Sequence, residues 1–79
     1  MHDAQKDTHR ALAAAKAICD GRHPVESRST VLITLDHTIA LILLAAMDND
    51  PKKAVAMLHE GTIPHVEERI MLYASKQST

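Results

Sequence analysis

The stretch whose reading decides the fold is Val31-Leu32-Ile33-Thr34-Leu35-Asp36-His37-Thr38-Ile39-Ala40-Leu41-Ile42-Leu43-Leu44-Ala45-Ala46-Met47. Leu32, Leu35, Ile39, Ile42 and Ala46 recur in steps of three and four, the heptad spacing of a helical seam. Thr34, His37 and Thr38 give the early part of this stretch a polar edge. From Ile39 onward it is apolar on every side. A helix that is apolar all round is buried all round. The run Val31–Leu35 is short and β-branched, and by itself also fits a strand. The continuation to Met47 without glycine or proline favours a helix.

The rest of the chain is short of cover for such a helix. There are 79 residues, enough for one small domain spanning 1–79. At this size, hydrophobic burial and ordering entropy nearly cancel, and small domains lean on a disulfide, a metal or a partner chain. Cys19 is the single cysteine, so no internal disulfide forms. That leaves self-association, a metal or a well-packed helical bundle, and the helix that is apolar all round favours self-association or a partner. The residues expected to carry it are Leu35, Ile39, Ile42, Leu43 and Ala46.

The segments on either side read as helices too. Over Asp3 to Asp20, Ala4, Thr8, Ala11, Ala15 and Ile18 keep helical spacing, widened by Leu12 and Cys19. Asp3 and Asp7 sit at the favourable end of the dipole, and Gly21 is a natural stop. Pro24 suits a first helical position, with Glu26 following; otherwise Ser29 or Thr30 caps a helix that begins later. Asp48-Asn49-Asp50-Pro51 is a strong break: Asn49 can end one helix, Asp50 can cap the next, and Pro51 fits its first position. A short helix from Pro51 to Glu60 would turn Ala54, Val55 and Leu58 inward and end at Gly61. Pro64 would open the last helix, with Val66, Ile70 and Tyr73 on its apolar face and a frayed tail over 77–79. The expected architecture is all-α, three to four helices in a helical hairpin or small bundle.

Charge and composition exclude several functions. Nine basic residues face ten acidic ones, without the basic excess of a non-specific nucleic-acid binder. The apolar content is too high for a disordered chain. Met1-His2-Asp3 does not open a secretory signal. The longest apolar stretch falls short of the roughly 20 residues a membrane span needs, and Asp36 and His37 interrupt it. A membrane role is not expected. The lone thiol fits a reducing compartment, and a cytoplasmic location is expected.

Six histidines, at positions 2, 9, 23, 37, 59 and 65, are the compositional oddity. No two are three or four residues apart, so the spacing does not place two ligands on one helix face, and no metal site or cofactor is expected. Asp36 and His37 are adjacent and diverge by roughly 100° around a helix, which favours exposed edge positions or a register-setting polar pair over an acid/base dyad. Cys19 lies on an apolar stripe without a basic neighbour, as a structural thiol does. There is no phosphate-cradling glycine loop and no nucleophile elbow. No catalytic residue is assigned, and an enzyme is not expected.

His59-Glu60-Gly61-Thr62-Ile63-Pro64 resembles the His-Glu-x-x-x-Pro spacing of the phosphoacceptor box in sensor histidine kinases. That box lies within a continuous helix. Gly61 is expected to interrupt the helix here, the usual Leu-Arg-Thr is absent, and an ATP-binding domain is not expected to follow. The three matches are read as coincidence. Residues 51–76 also have the outline of a helix-turn-helix. Glu67 and Glu68 lie where a reading helix would meet phosphates, with only Arg69 and Lys76 basic, so nucleic acid is not the expected partner. The expected function is a small intracellular interaction module (an inhibitor, adaptor or regulatory subunit) that binds itself and another protein. A helix-turn-helix DNA regulator and a metal- or pH-responsive module using His37 and His59 are the alternatives.

Overall fold

A computed structural model describes residues 4–77, which are helical apart from two short connections, with no strand among them. Helix α1 spans Ala4–Cys19 and α2 spans Arg28–Ala46. Helix α3 spans Pro51–Met57 and passes through a π-helical turn, Leu58–Thr62, into α4, Ile63–Gln77. The expected roles of Asp3 and of the tail residues Ser78 and Thr79 lie outside the described residues. Gln77, expected to be frayed, is the last helical residue. The chain divides into two compact units, Met1–Thr38 and Ile39–Thr79.

In the first unit, α1 stops where the backbone turns left-handed. Asp20 has φ 50° and Gly21 φ 75°. Glycine adopts this conformation without steric cost, and aspartate tolerates it better than most residues. Arg22 closes the end: its Nη2 donates to the Ile18 carbonyl at 2.7 Å and its Nε to the Cys19 carbonyl at 2.8 Å. These are last-turn carbonyls that the helix itself leaves unpaired. The same Nη2 lies 3.3 Å from Thr34 Oγ1, tying the end of α1 to the side of α2.

Pro24 does not start α2. The chain turns there, with Ser27 N donating to His23 O at 2.8 Å, and the helix begins at Arg28. The Ser27 carbonyl accepts from Val31 N at 3.0 Å. Residues 31–35 are helical, so the strand alternative is not realised. The threonines of the polar edge keep their hydroxyls paired within the helix. Thr30, Thr34 and Thr38 donate to the carbonyls of Ser27, Thr30 and Thr34 at 3.0, 3.0 and 2.8 Å. Such back-bonding lets threonine sit in a helix without an unmet donor. Val31 is the buried residue of α2, at 8% exposure.

The second unit begins in α2 and shows the expected break, in full. Asn49 N donates to Leu44 O at 2.8 Å and Asp48 N to Ala45 O at 3.2 Å, the paired bonds of a Schellman end. Asp48 and Asn49 take φ 57° and 59° to make them. Asp50 then caps α3, its Oδ1 accepting from Lys52 N at 3.0 Å and Lys53 N at 3.2 Å, and Pro51 follows at the first helical position. Ala54 is buried and Leu58 half-buried as expected, while Val55 is exposed.

The expected stop at Gly61 is corrected by the structure. The backbone stays helical through it, and Ile63 N reaches back five residues to Leu58 O. Pro64 supplies the physical reason. It has no N–H to donate, and its ring would press on the carbonyl four residues earlier, that of Glu60. Widening the turn ahead of it opens room without ending the helix. A Cβ at Gly61 would stand 2.7 Å from Met57 Sδ, so a larger residue there would turn that exposed methionine side chain aside.

Candidate functional site

The five residues expected to carry association all lie on α2. Leu35 belongs to the first unit, and Ile39, Ile42, Leu43 and Ala46 to the second. The structure divides them by exposure. Leu35, Ile39 and Leu43 are half-buried, whereas Ile42 is 62% exposed and Ala46 is exposed. They are therefore not one uniformly open seam. Within the first unit the open apolar positions of α2 are Leu32 and Ile33; within the second they are Ala40, Leu41, Ile42, Ala45 and Ala46.

Sequence reasoning missed Leu41, the most exposed large apolar residue of α2 at 70%. The signal was present, because a helix with no polar face has no side on which leucine is at home in water. Only 6% of the apolar window of α2 is buried. Single exposed leucines are ordinary, but a run of open aliphatic side chains on one helix marks a surface meant to be covered.

The polar candidates lie apart from any enclosed site. Asp36 and His37 are exposed on α2, the edge placement that their spacing favoured. His59 and Glu60 fall within the π turn and are exposed. No cluster of three or more histidine, cysteine or acidic side chains able to hold a metal occurs among the described residues. Cys19 is a half-buried free thiol whose carbonyl, not its sulfur, meets Arg22. The break at Gly61 that gave residues 51–76 a helix-turn-helix outline is absent, since a π turn takes its place. That turn also removes the interruption that set His59–Pro64 apart from the histidine-kinase box, although the match still rests on three residues.

A second apolar surface lies on α4. Ile63, Val66, Ile70 and Tyr73 are spaced by three, four and three, and all four are exposed. Met71 and Leu72 are also open, on other sides of the same helix. Val66, Ile70 and Tyr73, expected on the apolar face of this helix, are open to solvent. The chain matches no known protein family, no curated protein and no solved structure.

Proposed function

We propose that this chain is a binding module of the cell interior that associates with itself and with another protein, and that acts by occupying a surface. The observation that carries the reading is α2: nineteen residues, apolar around its second half, with Leu41, Ile42, Ala45 and Ala46 open to water. Covering such side chains is the main favourable term in association. The chain's small core supports the same reading. Val31 and Ala54 are its buried apolar residues, and no side chain is fully enclosed among those described.

The test is the double variant Ile42→Asp with Leu43→Asp, followed by sedimentation across a dilution series. The expected result is a lower molar mass than the parent at matched concentration, with helicity retained at high concentration. An unchanged mass at every concentration overturns the proposal.

A second reading has one observation in its favour. Helix α2 is long and apolar enough to cross a bilayer by length and composition. Asp36 and His37 near its middle weigh against it, since ionisable groups are costly at membrane depth. Flotation with neutral phosphatidylcholine vesicles separates the readings. Co-flotation that survives high salt and alkaline wash favours insertion, and protein left at the bottom favours association in water.

A further inference from the structure

We infer that the apolar stripe of α4 is a second homotypic interface, closed by α4 of another copy of this chain lying parallel to it. The argument starts from the register. Ile63, Val66, Ile70 and Tyr73 fit two heptads, with Ile63 and Ile70 at the first core position and Val66 and Tyr73 at the second. Isoleucine at the first position suits a parallel assembly, and the second position holds Val66 and Tyr73 where a two-stranded pair usually has leucine, so the flanking charges decide the occupant. All four side chains are open in the isolated chain, with Ile70 at 59%.

The flanks of the stripe specify the occupant. At about 100° per residue, Glu67 lies about 40° beyond Ile63 on one border, and Arg69 lies about 40° beyond Tyr73 on the other. Lys76 shares the basic border with Arg69. One edge of the stripe is therefore acidic and the opposite edge basic. Two such helices facing each other in parallel bring the acidic border of each against the basic border of its partner. Facing antiparallel, they would set acid against acid and base against base. The surface is thus complementary to itself in the parallel direction, and a two-fold interface must be self-complementary. Arg69 Nη1 reaches the His65 carbonyl at 3.3 Å on its own helix, an exposed contact that leaves other guanidinium N–H groups for the partner's Glu67.

This surface is separate from the α2 surface of the proposed function, and the experiment keeps the two apart. In a Cys19→Ser background, single cysteines are placed at Val66 in the stripe and at Ser75 on a side away from it, and disulfide formation is timed at micromolar chain concentration. Held in a parallel pair, Val66→Cys meets its own copy at an effective concentration near millimolar, so it cross-links on the order of a hundredfold faster than Ser75→Cys. The acceleration persists when Ile42→Asp and Leu43→Asp are also present. It falls with Arg69→Glu, and it returns when Glu67→Arg is added to that variant. Equal rates at positions 66 and 75 overturn the interface. Rapid cross-linking only between mixed Ile63→Cys and Tyr73→Cys chains overturns the parallel assignment. Acceleration lost in the α2 variant, with helicity kept, overturns the independence of the two surfaces.

Discussion

Truncating Ile42 to alanine separates a surface residue from an interface residue, because the two roles predict effects of opposite sign. The substitution removes three carbons, worth about 0.8 kcal/mol each when fully buried. Ile42 is 62% exposed in the chain. The part still to be buried on association therefore comes to about 1.5 kcal/mol per copy. Each copy contributes once to a two-fold contact, so the dimer loses about 3 kcal/mol, or roughly two decades in Kd. If Ile42 instead stays in solvent, the change is that of an exposed helical site. Alanine is then the better helix former by a few tenths of a kcal/mol, and the chain gains slightly in stability. Sedimentation equilibrium gives Kd, and thermal unfolding at several concentrations gives the dependence of Tm on chain concentration. The expected outcome is a hundredfold weaker association together with a lower Tm at matched chain concentration. An unchanged Kd with a small, concentration-independent rise in Tm refutes the reasoning.

Two further outcomes follow from the helix ends. Asp50→Ala removes the side-chain acceptor for Lys52 N and Lys53 N, and should cost about 1 kcal/mol, seen as a lower urea midpoint at fixed chain concentration; Asp50→Asn should recover most of it. Arg22→Met leaves the Ile18 carbonyl to water and the Cys19 carbonyl with only the backbone N–H of residue 22, with an expected cost of about 1 kcal/mol and several-fold faster amide exchange at Asp20, the residue at the end of that turn.

The parts of the fold that were legible in sequence are those decided within a few residues. The Asp48–Pro51 break was readable because a left-handed pair, a capping carboxylate and a first-turn proline are all local chemistry. Helix α2 was readable because nothing in it stops a helix. The passage from α3 to α4 was misread because Gly61 and Pro64 are each a stop signal when taken alone. The uneven exposure of Leu35, Ile39, Ile42 and Leu43 was not readable either. In a helix without a polar face, periodicity carries no mark of which side meets a neighbour, and that is set by tertiary packing.

The π turn at Leu58–Thr62 also fixes an angular phase. Ala54 and Leu58 mark the covered side of α3, and an unbroken α-helix would continue that side through Thr62, His65, Arg69 and Lys76. The five-residue step from Leu58 to Ile63 advances the count by one, so that Val66, Ile70 and Tyr73 fall in line instead. The chain thus carries the equivalent of a one-residue insertion, absorbed as a widened turn. Deleting a single residue between His59 and Thr62 would restore ordinary winding without changing any side chain of α4. It would leave the aliphatic row of that helix in line with Ala54 and Leu58, whereas straightening the turn with every residue kept would swing the row by about 100° relative to α3. The aim of that surface thus depends on how one turn is wound, and not only on the side chains upon it.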